Sequence, residues 1–188
     1  MAQFHVLQNP GHIIIKGNGT LVLKDSLLHI DDFSEGLTLS SSDVSQIIIK
    51  EIYDHDIMTI ENLTVFYQIK KEDTLLIYLG GYHNTIRRDF LKFLYQKYPD
   101  KKYLHFGDID AGGFYILEHL KNKTGIPFEP YMMDKNVLKQ HHEQTIPLQG
   151  NDRKRLNDLL NQRKYIDTIT YMLENDIKLE QEQLSFEE

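Results

Sequence analysis

The sequence predicts an α/β fold in which a parallel sheet is flanked by helices, and three observations lead there. Strand-like and helix-like stretches alternate three times between residues 56 and 122, the order that parallel strands with helical crossovers require. The run at 75–79, Leu-Leu-Ile-Tyr-Leu, is nearly continuous apolar sequence, as expected of a strand covered on both faces. The segment 105–114, His-Phe-Gly-Asp-Ile-Asp-Ala-Gly-Gly-Phe, carries a strand into a helix through an acidic, glycine-rich turn. Turns of this kind lie at the carboxyl ends of strands, where α/β proteins bind ligands.

Taken in order, residues 1–50 read as a β-rich lead-in. The β-branched run 12–16, the turn Gly17-Asn18-Gly19 and the run 20–24 predict a hairpin, with a further strand at 26–30. Residues 40–43, Ser-Ser-Ser-Asp, offer caps for a short helix or turn from Val44 to Ile49. The core spans 51–134: a strand at 56–60 ending on Glu61-Asn62, then Leu63, Phe66 and Ile69 at helical spacing. After the strand at 75–79, a turn at 80–84 with Asn84 as cap leads into a helix whose inner face holds Ile86, Phe90, Leu91, Phe93 and Leu94. The strand at 103 and the helix 112–122 follow, and Phe128-Glu129-Pro130-Tyr131-Met132 predicts an edge strand because it contains proline. Residues 135–188 form a helical extension with breaks at Pro147 and near 164, and Asp176 as cap of a last helix through 182.

At 188 residues the chain holds one buried core. It has no cysteine, which excludes disulfide and thiolate-metal scaffolds and fits a reducing cytoplasm. No leader-like start and no membrane-spanning run is expected. The formal charge of −7 opposes a polyanion, so any contact with nucleic acid depends on surfaces beyond this chain.

Asp108 and Asp110 are two residues apart, so in extended chain both carboxylates leave the same side. Like charges so close repel unless a cation neutralises them or one takes a proton, and Mg²⁺ or Mn²⁺ suits such an oxygen pair. The plainer alternative is that an Asp ahead of a helix is only its N-cap. In a parallel sheet Glu61 lies on the same rim, and if the two strands are neighbours three carboxylates converge.

This pattern resembles the TOPRIM domain, shared by topoisomerases, bacterial primases and certain nucleases, whose marks are a Glu after the first strand and Asp-x-Asp after the third. More specifically, residues 59–66 (Thr-Ile-Glu-Asn-Leu-Thr-Val-Phe), Gly107-Asp108-Ile109-Asp110 with Gly113-Phe114, and the late Leu179-Glu180-Gln181-Glu182 resemble the carboxyl-terminal domain of the JetD family. That family supplies the nuclease subunit of Wadjet anti-plasmid systems and is related to the topoisomerase VI A subunit. The resemblance implies a metal-dependent DNA endonuclease domain. Asp108 and Asp110 would hold Mg²⁺ or Mn²⁺, and Glu61 would complete the site or take a proton from water. Glu180 or Glu182 would turn toward it. It also implies double-stranded DNA and SMC-like defence subunits as partners, with a homodimer possible.

Two departures bear on this. Complete relatives carry arm and winged-helix regions, whereas about fifty residues precede the core here, which suggests a piece or a shortened member. Tyr53, the single tyrosine before Glu61, stands in an acidic setting unlike that of a strand-cutting tyrosine. His83 is expected on the rim as a phosphate donor. Arg87 and Arg88 enter the first turns of a helix, and Arg153, Lys154, Arg155 and Arg163 form a small basic cluster. His105 and His119 are expected to be packed, and His141-His142 to be surface residues. The alternatives are a non-catalytic interaction or regulatory module of the same fold, and a topoisomerase-like or primase-like TOPRIM enzyme.

Overall fold

A computed structural model describes residues 11–80 and 85–184. Along the chain run β1 (His12–Lys16), β2 (Gly19–Leu23), β3 (Ser26–His29), β4 (Leu37–Ser40), α1 (Ser41–Val44), β5 (Ile47–Ile52), β6 (Asp56–Ile60) and α2 (Leu63–Gln68). Next come β7 (Thr74–Tyr78), α3 (Thr85–Lys97), β8 (Lys102–Phe106), α4 (Ala111–Thr124) and β9 (Glu129–Pro130). The last elements are α5 (Lys135–Gln140), β10 (Ile146–Pro147), α6 (Gly150–Asn161), α7 (Ile166–Asn175) and β11 (Ile177–Lys178).

The main sheet has the order β4-β1-β7-β6-β8-β9. Its β7-β6-β8-β9 part is parallel, while β1 pairs antiparallel with both β4 and β7, so the sheet is mixed with mostly parallel strands. Side-chain alternation explains why it is buried on both faces. Ile57, Leu75, Ile77 and Tyr103 pack on one side with α3, α4 and a small second sheet. Met58, Ile60, Leu76, Leu104 and Phe106 pack on the other with α2 and α5 to α7. The outcome is the helix-flanked, Rossmann-like arrangement expected of a TOPRIM fold. Among the described residues no helix is long and apolar enough to cross a membrane.

Four local expectations are corrected, the simplest being Phe93, expected on the inner face of α3 but 43% exposed. β1 and β2 do not form a hairpin: β1 joins the main sheet and β2 sits between β3 and β5 in the second sheet. The tight hairpin is instead β2–β3, closed at Leu23↔Ser26 with Lys24 in the left-handed region at φ 56°. A Gly-Asn-Gly sequence signals that the chain turns, but long-range burial selects the partner. The helix expected from Val44 to Ile49 is only the short α1, capped by Ser40 through a capping box with Asp43, because the apolar alternation of Ile47, Ile49 and Ile52 draws that stretch into β5. The last helix expected after Asp176 does not form. Asp176 ends α7 at φ 57°, and β11 and a single 3-10 turn at Gln181–Gln183 follow. The turn at 81–84 lies outside the described residues.

The change of sheet between β1 and β2 rests on Gly17, at φ 148°, where an added Cβ would lie 2.4 Å from Asp54 Oδ2 and 3.0 Å from Leu75 Cα. Asp54, 6% exposed, also accepts the Asn18 N–H at 2.6 Å, which fixes the turn. Gly17→Ala is therefore expected to destabilise the fold by about 2 kcal/mol, from overpacking together with backbone strain. Urea denaturation checks this, and a loss under about 0.5 kcal/mol, the size of an ordinary surface substitution, contradicts it.

Candidate functional site

β6 and β8 are direct neighbours in register, Ile60 opposite Phe106, so both strands end on one rim. The Glu61 N–H donates to the Phe106 carbonyl at 3.0 Å, extending the pairing one step beyond β6. The chain leaves at once on each strand. Asn62 caps α2 by accepting the Val65 N–H, and Asp110 caps α4 by accepting the Gly113 N–H at 2.7 Å. β7 lies on one side of β6 and β9 on the far side of β8, so the crevice between β6 and β8 is where the connections diverge. Two glycines make room there. A Cβ on Gly107 would stand 2.6 Å from Glu61 Oε2, and one on Gly113 would stand 2.2 Å from the Asp108 carbonyl oxygen.

The end of the chain closes this rim. Ile109 and Leu179 form an antiparallel bridge with N–H···O distances of 2.9 and 3.2 Å. Alternation then turns the residues on either side of each bridged position to a common face, with Asp110 opposite Lys178 and Asp108 opposite Glu180. The Lys178 ammonium, on a side chain 8% exposed, lies 3.7 Å from Asp110 Oδ2, 3.7 Å from Asp152 Oδ2 and 3.4 Å from Glu180 Oε1. Gln181, 1% exposed, donates its N–H to Asp108 Oδ1 at 2.7 Å and its Nε2 to the Phe106 carbonyl at 3.2 Å. Its Oε1 accepts the Asn62 N–H at 3.1 Å, so one amide side chain holds both strand ends.

Burial and like charge set the electrostatics. Loss of water, then the charges of Asp108 and Asp110, push the Glu61 carboxyl up to about 8, against a weaker opposing hydrogen bond from the Asp108 backbone. Asp108 rises to about 6, mainly through burial, with the Gln181 N–H working against the shift and Glu180 and Asp110 adding to it. Burial disfavours the charge on Lys178, but Asp110, Asp152 and Glu180 together outweigh it and hold its pKa above the usual lysine value.

The structure thus brings Glu61, Asp108 and Asp110 onto one rim, with Glu180 joined to them through Lys178. Glu182 is exposed and turned to the Asn62 side chain, which donates to it at 2.5 Å. His83 lies outside the described residues. Among the described residues no three His, Cys, Asp or Glu side chains already form a set that could hold a metal ion. Lys178 and Gln181 take up carboxylate oxygens that a cation would otherwise share. The donors nonetheless fit a hard cation, because Glu61 Oε2 is buried without a hydrogen-bond partner beside two further carboxylates.

Several other expectations resolve plainly. Asp110 is the N-cap that its position suggested, and its second oxygen faces Lys178. His105 is fully buried with Nδ1 at 2.9 Å from Thr59 Oγ1. Arg87 donates to the carbonyls of His12 and Leu79 and stacks over Tyr78, so its fork ties α3 to the sheet. Arg153 pairs with Asp176 and Arg155 lies over the Tyr115 ring. Tyr53, 60% exposed, precedes β6 at the end opposite Glu61, about 16 Å away along a five-residue strand. Lys178 and Gln181 were missed. The alternation Ile177, Leu179 against Lys178, Glu180 was the signal available for the lysine.

Fold and rim together define an α/β domain with an acidic site at the carboxyl ends of adjacent parallel strands. The family model described as "Wadjet protein JetD, C-terminal" matches residues 11–188. The Wadjet protein JetD of Bacillus cereus (strain Q1) is 32% identical over 185 residues, covering 94% of this chain and 45% of that protein. The chain belongs to the JetD carboxyl-terminal family, and it spans a little under half the length of this relative.

The raised carboxyls fix the sign of a pH dependence. A carboxyl that ionises at about 4.5 when unfolded and about 8 when folded keeps its proton longer in the native state, so stability falls as pH rises through that window. Asp108 acts in the same direction between 3.8 and about 6. In a metal chelator, stability should therefore drop from pH 5 to pH 8, by at most about 1.4 kcal/mol per pH unit for each group, and Glu61→Gln should flatten the fall above pH 6. Urea titrations at several pH values check this. A native curve that is flat or rises with pH contradicts it.

Proposed function

We propose that this chain is the metal-dependent endonuclease domain of a JetD-type defence protein, hydrolysing phosphodiester bonds of double-stranded DNA within an assembly of SMC-like subunits. The observation that carries the reading is Glu61 Oε2, buried and unpartnered on the rim that also presents Asp108 and Asp110. An ionised carboxylate in that state costs free energy, so the group either keeps a proton or meets a cation. Membership in the JetD family supports the reading independently.

Glu61 and the second oxygen of Asp108 would hold Mg²⁺ or Mn²⁺, with Asp110 joining them only through the Oδ2 that it shares with Lys178. When bound, such an ion acts as a Lewis acid toward a phosphoryl oxygen and lowers the pKa of water. The chain's own groups do the rest. The Gln181 N–H and the Gly113 N–H orient one oxygen each of Asp108 and Asp110, and Lys178 meets the other oxygen of Asp110. Glu61, raised to about 8 by burial and by Asp108 and Asp110, would have to give up its proton to serve as a ligand, so cation binding would be coupled to proton release.

The interaction-module reading has one observation in its favour: Lys178 already neutralises Asp110, and Asp110 already serves as a helix cap. One pair of measurements separates the two. In the complete protein with its partner subunits, Asp108→Ala and Glu61→Ala should abolish plasmid cleavage while leaving assembly intact. With Mn²⁺ at about 100-fold over its Kd the native chain should gain about 2.7 kcal/mol, and each variant less than half of that. If both variants cut like the unaltered assembly and gain the same stabilisation, the acids are structural caps and the module reading stands.

DNA affinity gives a further check. The isolated chain, at −7, should bind duplex DNA more weakly than about 10 μM at physiological salt, near the weak non-specific range. Fluorescence anisotropy measures it, and submicromolar binding contradicts the expectation.

A further inference from the structure

We infer that Lys178 is a built-in cation standing in the place of a second divalent ion, so that the rim takes one metal ion and not two. The inference rests on the metal reading above and concerns how many ions the acids accept. Phosphodiester-cleaving sites often use two ions about 3.5–4 Å apart, each held by carboxylates that bridge or flank the pair. Here Asp110 Oδ2 and Glu180 Oε1, two of the oxygens a second ion would need, face the Lys178 ammonium at 3.7 and 3.4 Å.

The ammonium cannot easily leave. Its side chain is 8% exposed, β11 is paired with β10, and Leu179 is bridged to Ile109, so the backbone on both sides is fixed. Asp152, in the first turn of α6, holds the ammonium from behind at 3.7 Å while its Oδ2 also accepts the Gln149 N–H at 3.0 Å. The groups facing Lys178 are thus Asp110 and Glu180 toward the rim and Asp152 toward α6. Glu61 Oε2 is the oxygen without a partner, and it lies against Gly107 on the β6–β8 side. The rim is divided accordingly, with an open half at Glu61 and Asp108 for one divalent ion and a half at Asp110 and Glu180 filled by lysine. A divalent ion placed against the second half would sit within a few ångströms of a fixed positive charge.

The test is the number of Mn²⁺ ions bound per chain, read by electron paramagnetic resonance, where free ion is counted directly and two neighbouring ions give an exchange-split spectrum. The native chain should bind one ion and show no coupled spectrum. Lys178→Met combined with Asp152→Asn, which removes the cation together with the acid behind it, should bind two and show the coupled spectrum. Lys178→Arg, which keeps the charge, should remain at one. A native chain that binds two ions overturns the inference whatever the variants do, and so does a folded double variant that still binds one. A native chain that binds none overturns the metal reading itself, and this inference with it.

Discussion

The antiparallel bridge between Ile109 and Leu179 is the contact on which the candidate site depends. Without it the loop after β8 would present two aspartates to solvent, as many helix-capping loops do. With it, the pleat places Lys178 opposite Asp110 and Glu180 opposite Asp108, and the next residue, Gln181, reaches back to the ends of β6 and β8. Residues some 70 positions apart in the chain are thereby gathered into one charged cluster. Both bridged side chains are buried, Ile109 at 1% and Leu179 at 0% exposure, so apolar packing anchors the polar rim above it.

The cluster is not at electrostatic rest. Glu61 and Asp108 are both shifted toward protonation, chiefly by burial, and the Lys178 ammonium pairs with Asp110, Asp152 and Glu180. Strain of this kind, spent at a crevice between diverging strand connections, characterises functional sites more than structural ion pairs. Gly107 and Gly113 point the same way. Each is a place where a methyl group would collide with a carboxylate or carbonyl oxygen of the rim, so the backbone is shaped around those oxygens.

Much of this was legible in the sequence, for identifiable reasons. The core strands β6, β7 and β8 and their helices follow from apolar runs and caps at Asn62 and Asp110, signals that are local and strong. The adjacency of β6 and β8, which puts Glu61 on the same rim as the Asp108 loop, stays open in the sequence, because alternation of strands and helices does not set strand order. What was not legible depends on partners distant in sequence. The Gly17-Asn18-Gly19 turn looks like a hairpin turn, yet β1 pairs with β4 and β7 and β2 with β3 and β5. The acids at 180 and 182 read as part of a solvated helix, yet Leu179 pairs with Ile109 in an antiparallel bridge and a single 3-10 turn follows. Lys178 escaped notice because its role comes from that pairing alone.

The central claim is that the rim of Glu61, Asp108 and Asp110 takes a divalent cation, held chiefly by Glu61 and Asp108. A crystal of this chain grown or soaked with Mn²⁺, with data collected at the manganese absorption edge, tests it most directly. The account predicts an anomalous peak between β6 and β8, within about 2.0–2.6 Å of Glu61 Oε2 and of at least one of the two aspartates. A map with no peak on this rim, or with manganese bound only elsewhere on the chain, would contradict it.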